Sequence, residues 1–322
     1  MRYTQILGSG AYVPKNVVTN AMMEKIVDTS DEWIQSRTGI KSRPMTIDEN
    51  TSDLAYEAAL KALEDANVSA EEIDLIVVAT VTPDYVFPGV SQLLQKRLNA
   101  KSIPAFDINA ACSGFVYALE VVDKMIKSGP YEKALIVGAE TLTKYADYSD
   151  RNTCVLFGDG AGAMIIGSSD EDKIKSIVAY ASGDDLGLLK MDGYPLKENF
   201  ETPPQTRPFL EMQGSEVFKF ATTVLPKTVN ELLDNANVKH QDLDLIVAHQ
   251  ANARIITKSA KTLKIDQDKM FMNIHKRGNT SAASVPMAID EAIKTGRLNK
   301  GDTFVTVAFG AGLTWGGALI TL

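Results

Sequence analysis

The chain has 322 residues, of which 45% are hydrophobic and 23% charged, a balance typical of a globular protein with a sizeable core. Its net charge of −8 gives no overall field that attracts nucleic acid, so we expect no nucleic-acid partner. Two cysteines in 322 residues do not form a disulfide framework, which excludes the small disulfide-stabilised class and favours a reducing compartment.

Membrane insertion is not expected either. The first residues lack the apolar core of a signal peptide. The longest apolar run, residues 75–81, is much shorter than the roughly 20 residues that cross a membrane as a helix. We therefore predict a cytoplasmic protein without a membrane partner.

Helical and strand patterns alternate along the first half of the chain. Polar capping signals at Thr29 and Thr51 precede two predicted helices, the first of which carries Trp33 and Arg37 on one face. A third helix is predicted at residues 90–98. Strands are predicted at residues 3–7, 74–79 and 134–137, and as a pair at 153–157 and 161–166 around a Gly-rich turn.

A segment of the first half recurs in the second half at a constant offset of 170 residues. Residues 66–79 and 236–249 share seven identities in fourteen positions, and each copy has the pattern of a helix end, a loop and a buried strand. Residues 162–166 also resemble residues 317–320. Two matches in the same order indicate an internal duplication into two similar α/β halves. The predicted halves are residues 1–170 and 171–322.

Cys112 lies where a predicted strand passes into a predicted helix. Residues 103–108 form an apolar strand, small residues surround the cysteine, and apolar residues then recur at three- and four-residue steps. Backbone N–H groups and the helix dipole at a helix start stabilise a thiolate, so we expect a lowered thiol pKa. Cys112 is the candidate nucleophile. The alternative is a buried structural cysteine, since free cysteine is among the most buried residue types.

Three further segments could support chemistry at this cysteine. His249 ends the repeated strand, in the place of Ala79 in the first copy, and open α/β sheets bind ligands at such strand ends. Asn279 follows Gly278 in a turn before a helix, where a capping role is the alternative. Residues 308–316 form a Gly-rich turn between two strands, which can bring backbone N–H groups close to a reacting carbonyl.

Together these segments resemble the β-ketoacyl-[acyl carrier protein] synthase III family, which has the thiolase fold. The resemblance rests on Ala-Ala-Cys-Ser-Gly-Phe at Cys112, His-Gln-Ala-Asn at His249, Gly-Asn-Thr-Ser-Ala-Ala-Ser at Asn279 and Phe-Gly-Ala-Gly-Leu-Thr-Trp-Gly from Phe309. It extends along essentially the whole chain and accounts for the duplication. It implies an α/β fold with a layered αβαβα core, whose first half carries Cys112 and whose second half carries His249 and Asn279.

The resemblance implies an acyltransferase that initiates fatty acid synthesis. Cys112 would attack a short acyl-CoA, with the oxyanion held by the backbone N–H groups of Cys112 and Ala311. His249 and Asn279 would then stabilise the enolate formed as malonyl-[acyl carrier protein] loses carbon dioxide. The enolate would attack the acyl-enzyme and give 3-ketoacyl-[acyl carrier protein], with no metal and no redox cofactor. The family often has glycine at the position of Ala311, but alanine keeps the N–H group.

The resemblance also implies binding residues for the two substrates and a homodimer. CoA would contact Thr29, Trp33, Arg37, Arg151, Gly214, Phe218, Asn252 and Arg254. Independently of the resemblance, Arg254, Lys258 and Lys261 recur at helical spacing after His249. With Lys219 they are predicted to form a basic stripe that docks the acyl carrier protein, for which a solvated charged face is the alternative. Phe87 would lie near the acyl pocket of a partner subunit. The starter acyl group stays open.

Two other classes of function are weighed against this one. A thiolase-type or hydroxymethylglutaryl-type acyltransferase needs a second catalytic cysteine or a catalytic glutamate. The chain has Ala308 at the thiolase position, and Cys154 lies in an apolar segment. A non-catalytic acyl-binding relative would not need the intact Cys-His-Asn set. Residues 158–162 lie between predicted strands and open no helix, which excludes a dinucleotide site. Residues 183–209 are either a surface insertion or a mobile lid.

Overall fold

The computed structural model describes residues 2–184, 187–193 and 209–322. Most of the segment predicted as an insertion or lid, residues 183–209, therefore lies outside the described residues. The strands in the described part are β1 (Tyr3–Tyr12), β2 (Val17–Thr19), β3 (Ser42–Pro44), β4 (Leu75–Ala79), β5 (Ala105–Ile108), β6 (Lys133–Thr141), β7 (Asp159–Ser169), β8 (Ile174–Ala181), β9 (Leu189–Met191), β10 (Leu210–Met212), β11 (Leu245–Ala248), β12 (Thr303–Gly310) and β13 (Thr314–Thr321). The helices are α1 (Asn20–Met23), α2 (Asp31–Thr38), α3 (Thr51–Ala66), α4 (Val90–Arg97), α5 (Gly114–Ser128), α6 (Gly214–Asn235), α7 (Ala253–Leu263), α8 (Ile274–Arg277) and α9 (Ser284–Lys294).

The first large sheet has the strand order β1-β7-β6-β4-β5. Strand β4 is parallel to β5 and β6, whereas β7 runs antiparallel to β1 and β6. Every residue of β4 is buried, because helices cover both faces of a parallel strand. The predicted strand at residues 74–79 is thus confirmed within one residue.

The second large sheet has the strand order β11-β12-β13-β8. Strand β11 is parallel to β12, and the remaining pairs are antiparallel. Helices α6 and α7 cover its outer face, where their apolar residues pack on Ile246 and Val305. Helices α3 and α4 cover the outer face of the first sheet in the same way, against Ile76 and Val78.

Helices α5 and α9 lie between the two sheets and form the centre of the molecule. Their apolar residues, among them Phe115 and Val285, pack in one core with Val77 of the first sheet and Val247 of the second. The layers therefore run helix, sheet, helix, sheet, helix, which confirms the predicted layered α/β fold. No helix in the described residues is long and apolar enough to cross a membrane.

The two copies of the repeated segment have the same local structure. Asn67 follows α3 and Asn237 follows α6 by two residues, and both have left-handed φ values, 50° and 53°, a conformation that asparagine tolerates better than most residues. A single 3₁₀ turn then leads into β4 in one copy and into β11 in the other. The residues shared by the two copies thus form equivalent connections from a helix into a strand, into β4 in the first half and into β11 in the second.

The strand predicted at residues 153–157 is wrong. This segment forms successive turns, in which the N–H groups of Thr153 and Cys154 donate to the carbonyl of Asp150. Its apolar side chains are buried against Ile34 and Ile40, so tertiary packing accounts for the apolar run. Strand β7 pairs instead with β1 and β6.

Candidate active site

A cavity of about 930 Å³ contains all three predicted catalytic side chains. Cys112, His249 and Asn279 line it, together with Gly310 at the end of β12 and Ala311 in the turn that follows. These residues come from different elements of both halves, so the tertiary fold brings them together.

Cys112 lies in a 3₁₀ turn, residues 111–113, between β5 and α5. The preceding residue, Ala111, has a φ of +47°, which turns the chain sharply toward the cavity. The Cys112 side chain is buried, and this burial raises its thiol pKa to about 12. A hydrogen bond from Ser281 acts in the opposite direction, and the nearby carboxyl of Glu140 raises the pKa further.

The expectation of a lowered Cys112 pKa is therefore wrong. Helix α5 begins only at Gly114, and removing the sulfur from water disfavours the thiolate. Burial therefore favours the protonated thiol of Cys112. If Cys112 is the nucleophile, this proton has to leave as the sulfur attacks a substrate.

The turn between β12 and β13 packs directly against the backbone of Cys112. A Cβ atom at Gly310 would lie 2.7 Å from the backbone nitrogen of Cys112, so a larger residue would push the two segments apart. The hydroxyl of Thr314 lies 3.0 Å from the carbonyl oxygen of Ala110 and 2.9 Å from that of Ala311. This contact holds the two predicted oxyanion donors, Cys112 and Ala311, in one region.

His249 is a buried neutral imidazole. It directly follows β11, where its backbone N–H donates to the carbonyl of Val307 at 2.8 Å. Its Nδ1 lies 2.5 Å from the Ser284 hydroxyl, and its ring meets Phe309 edge-on, with the centroids 5.3 Å apart. Burial lowers its pKa to about 3. With Nδ1 occupied by Ser284, Nε2 is the ring nitrogen that serves the cavity.

Asn279 is held at both backbone groups and at its side-chain oxygen. Its N–H donates to the carbonyl of Leu156 at 2.8 Å, and its carbonyl accepts from Gly158 at 3.0 Å. The N–H of Ser281 donates to its Oδ1 at 2.9 Å. The side-chain oxygen is therefore engaged within its own turn, which leaves the Nδ2 group as a donor toward the cavity.

Two residues of the site were missed by sequence reasoning, Gln250 and Glu140. Gln250 donates to the carbonyls of Ala248 and Phe271, at 2.8 and 3.1 Å. Its Oε1 accepts from the N–H groups of Asn273 and Ile274, at 3.0 and 3.2 Å. It thus fixes the segment after β11 to the segment that precedes the Asn279 turn.

Glu140 is a fully buried carboxyl near the end of β6, and burial raises its pKa to about 7. The sequence carried a signal for it, a lone acidic residue at the end of an otherwise aliphatic strand. Buried carboxyls of this kind are frequent at functional sites.

The outer part of the cavity contains most of the residues predicted to bind CoA. Those that line it are Trp33, Arg37, Gly214, Phe218, Asn252 and Arg254. The Arg37 guanidinium lies 5.9 Å from the Trp33 ring centroid, which confirms that the two side chains share a face of α2. The Asn252 side chain donates to the carbonyl of Arg37 at 3.0 Å and accepts from the N–H of Arg254 at 2.9 Å.

Four predicted binding residues are not among those that line the cavity. Arg151 lies beside its mouth, since its guanidinium is 5.0 Å from the Trp33 ring centroid. Thr29 precedes α2, whose N-cap is Ser30, one residue later than the sequence predicted. Lys261 is exposed on α7, and Phe87 is 84% exposed in a loop between β4 and α4.

The basic stripe forms one side of the cavity mouth. Lys219, Arg254 and Lys258 line the cavity, and Arg254 and Lys258 both approach the Phe218 ring, at 5.5 and 5.2 Å from its centroid. Among the residues that the structure describes, no group of histidine, cysteine, aspartate or glutamate side chains could hold a metal ion.

Comparison with known proteins identifies the family. A family model described as 3-oxoacyl-[acyl-carrier-protein (ACP)] synthase III matches residues 106–185, and a model of the C-terminal part of that family matches residues 233–322. A β-ketoacyl-[acyl-carrier-protein] synthase III from Clostridium perfringens strain SM101 is 49% identical over 324 residues, which cover 100% of both chains. The chain belongs to the β-ketoacyl-[acyl-carrier-protein] synthase III family. It is a condensing enzyme of the acyltransferase class.

Solved structures of β-ketoacyl-[acyl-carrier-protein] synthase III and related enzymes show the same fold. The crystal structure of 3-oxoacyl-[acyl-carrier-protein] synthase III from Aquifex aeolicus VF5 superposes with a TM-score of 0.93 at 46% identity, covering 99% of this chain and 100% of the other. A priming β-ketosynthase from the R1128 polyketide biosynthetic pathway superposes with a TM-score of 0.93 at 36% identity, covering 100% and 96%. The thiolase-like fold predicted from the sequence is thereby confirmed.

Proposed function

We propose that this enzyme forms an acyl-enzyme on Cys112 and uses His249 and Asn279 for decarboxylation. The enzyme condenses a short acyl-CoA with malonyl-[acyl carrier protein], releasing CoA and carbon dioxide, and thereby initiates fatty acid synthesis. The observation that carries the residue assignment is a single cavity containing one thiol and two neutral side-chain donors.

In the first half-reaction, the Cys112 sulfur attacks the thioester carbon of acyl-CoA. The oxyanion that forms is stabilised by the N–H groups of Cys112 and Ala311, which the close packing of Gly310 keeps together. CoA then leaves and the acyl group remains on the sulfur. A backbone oxyanion hole needs no titration, so it serves at any pH that preserves the fold.

In the second half-reaction, malonyl-[acyl carrier protein] enters the same cavity. His249 Nε2 and Asn279 Nδ2 donate to its thioester oxygen and stabilise the enolate as carbon dioxide leaves. A neutral histidine suits this role, because its low pKa keeps it from being charged before the substrate arrives. The enolate attacks the acyl-enzyme and releases 3-ketoacyl-[acyl carrier protein].

The outer cavity fits a nucleotide-bearing pantetheine arm. The Trp33 ring has the guanidiniums of Arg37 and Arg151 at 5.9 and 5.0 Å from its centroid. Ring and cations together offer a stacking surface for the adenine. Gly214, Phe218 and Asn252 line the path inward, and Thr29 precedes the helix that carries Trp33. The basic stripe of Lys219, Arg254, Lys258 and Lys261 is proposed to dock the acidic carrier protein. No metal or redox cofactor is part of this mechanism.

The proposed assembly is a homodimer, in which each copy of the chain contains two similar halves. Phe87 lies at an exposed apolar loop with Tyr85 and Val86, which are 84%, 58% and 89% exposed. Such a group favours contact with a second copy of the chain. The proposed boundary between the halves, residues 1–170 and 171–322, falls between β7 and β8. A cytoplasmic location stays a prediction.

A thiolase-type function is disfavoured by the position of the second cysteine. Cys154 packs in an apolar cluster with Ile34 and Phe157, and Ala308 is buried in β12. A thiolase needs a second thiol in the cavity.

The test is the intact mass of the protein after incubation with a panel of short straight and branched acyl-CoAs. We expect one acyl adduct on the peptide that contains Cys112, and none in C112A, which stays folded. An adduct that persists in C112A or maps to Cys154 would overturn the assignment. C154A, with its cysteine outside the proposed chemistry, is the matched control and is expected to keep the adduct.

A further inference from the structure

Ser284 contacts the His249 ring but is not among the residues that line the cavity. Its hydroxyl oxygen lies 2.5 Å from His249 Nδ1. Ser284 is the first residue of α9, whereas His249 follows β11, so the contact joins two elements of the second half. The two residues are only 2% and 1% exposed. A role for Ser284 in the reaction therefore has to act through His249.

The direction of this hydrogen bond depends on the other partners of the Ser284 hydroxyl. Helical hydroxyls often donate to the carbonyl one turn earlier, as Thr222 does to Phe218 at 2.9 Å. In the part of the chain that the structure describes, the Ser284 hydroxyl has no partner besides His249. If Nδ1 carried the His249 proton and donated it to Ser284, the serine proton would be buried without an acceptor, which costs free energy. Donation from the hydroxyl to Nδ1 avoids that cost.

The direction of the bond fixes which ring nitrogen carries the proton. Burial lowers the pKa of His249 to about 3, so the ring is neutral at pH 7 and carries one proton. When Nδ1 accepts a hydrogen bond, that proton is on Nε2. Nε2 is then a hydrogen-bond donor, as stabilisation of an enolate oxygen requires. In the other tautomer Nε2 would be an acceptor, suited to take the Cys112 proton and unable to donate to an enolate.

The same short segment orients Asn279 by the same principle. The N–H of Ser281 donates to Asn279 Oδ1 at 2.9 Å, which leaves Nδ2 as the donor. Ser284 is joined to this turn, because its N–H donates to the carbonyl of Ser281. Residues 281–284 thus supply a donor to the acceptor atom of Asn279 and of His249, and leave one N–H donor of each side chain for substrate.

We propose that Ser284 is a positioning residue whose hydroxyl donates to His249 Nδ1 and thereby keeps the His249 proton on Nε2. The proposal rests on the proposed function, in which His249 Nε2 donates to the enolate oxygen. The ring is also held by its edge-on contact with Phe309, with 5.3 Å between the centroids, and by the bond from its backbone N–H to Val307. Ser284 thus decides whether His249 serves as a donor or as a base.

The first measurement is the ¹⁵N NMR spectrum of the ring nitrogens at pH 7, in enzyme labelled with ¹⁵N-histidine. The chain has three histidines, and the spectrum of H249A identifies the signals of His249. A ring nitrogen that carries a proton resonates well apart from one that does not, so the spectrum reports the tautomer. We expect the proton on Nε2 in wild type and a mixture of both tautomers in S284A. The signals of His240 and His275 show whether the variant keeps its fold.

The second measurement is carbon dioxide release from malonyl-[acyl carrier protein], with acylation by acyl-CoA followed separately by intact mass. S284A should release carbon dioxide about ten- to a hundredfold more slowly, as is typical when the partner that orients a working histidine is removed. It should form the acyl-enzyme at nearly the wild-type rate. The double variant S284A/H249A should be no slower than H249A, because Ser284 acts only through His249.

S259A is the matched control. Ser259 is a fully buried serine of α7 whose hydroxyl has no hydrogen-bond partner among the described residues. We expect S259A to have the wild-type tautomer and the wild-type rate in both half-reactions.

The proposal is overturned if wild type carries the His249 proton on Nδ1, or if S284A keeps the wild-type tautomer. Equal loss of both half-reactions in S284A, or a further loss in S284A/H249A beyond that of H249A, would show a merely structural role and would also overturn it. If S284A mixes the tautomers without slowing carbon dioxide release, the Ser284 assignment stands. The role of His249 in the proposed function is then contradicted.

Discussion

Burial shifts the pKa values of two proposed catalytic residues in opposite directions. It raises the pKa of Cys112 to about 12 and lowers that of His249 to about 3. Both side chains are therefore neutral when substrate arrives. Neither the Cys112 nor the His249 side chain then carries a charge in a cavity that must admit an apolar acyl chain. On the proposed mechanism, charge develops there only as bonds form and break.

The two half-reactions should respond differently to loss of the side-chain donors. In the proposed mechanism, decarboxylation depends on His249 Nε2 and Asn279 Nδ2, whereas acylation has its own backbone donors. Losing one positioned donor of this type costs about a hundred- to a thousandfold. We expect N279A and H249A to lose carbon dioxide release by that factor and still form the acyl-enzyme. The double variant should be little worse than either single one, because the two donors act as a unit.

Radiolabelled malonyl-[acyl carrier protein] measures the release, and intact mass measures acylation. If H249A blocks acylation as completely as C112A, then His249 is the base of the cysteine and the proposed division of labour is wrong.

Elements rather than single residues set the distances within the cavity. The turn between β12 and β13 meets the turn before α5 at Gly310, where a Cβ atom would lie 2.7 Å from the nitrogen of Cys112. That contact is too short for any real Cβ atom, so G310A must push apart the segments that carry the two proposed oxyanion donors. We expect G310A to slow acylation at least tenfold while the overall fold persists.

The matched control for G310A is G183A, because the space around Gly183 is open. It should acylate at the wild-type rate. The measurement is the single-turnover acylation rate, with circular dichroism to check the fold. A G310A enzyme as fast as wild type would show that this contact does not hold the oxyanion hole.

Helix α7 gives the second prediction at this scale. Its exposed Lys261 continues the basic stripe beyond the cavity lining, so a substitution there leaves the proposed CoA contacts in place. We expect K261E to raise KM for malonyl-[acyl carrier protein] several-fold, with a weaker dependence on salt, because it removes attraction to an acidic partner. KM for acyl-CoA should not change.

K300E, on an exposed loop far along the chain, makes the same change in net charge and should leave both values unaltered. Equal KM values for K261E and wild type would remove Lys261 from the docking surface.

For the whole molecule, the buried carboxyl of Glu140 links stability to pH. Its pKa rises from 4.5 to about 7 on folding, so the folded state favours the protonated form. Its contribution is fully present below pH 4.5 and is lost as pH rises through 7. A shift of this size corresponds to a contribution on the order of 3 kcal/mol.

The change in unfolding free energy between pH 5 and pH 8.5 should therefore be smaller in E140Q than in wild type. Urea unfolding at the two pH values measures it. E64Q, at an exposed position of α3, is the control and should follow wild type. An identical pH dependence in E140Q and wild type would show that Glu140 carries no such linkage.

The sequence by itself determined most of the strands and helices and the family of the enzyme. Aliphatic runs predicted β4 and β6 because strands covered on both faces need apolar residues throughout, and the repeat at an offset of 170 predicted two similar halves. The motifs around Cys112, His249 and Asn279 predicted the catalytic set, since chemistry of this kind constrains residue type at each position.

Only the tertiary structure decided the environments of those residues. The direction of the Cys112 pKa shift depends mainly on how far the fold removes water from the sulfur, and also on the carboxyl of Glu140, which lies 28 positions along the chain on β6 of the same sheet. Gln250 acts through Phe271 and Asn273, which lie 21 and 23 residues along the chain, so the local pattern carries no signal for its role. The apolar residues at 153–157 are buried although they lie in turns and not in a strand. Burial requires a neighbouring surface and does not require a particular backbone conformation.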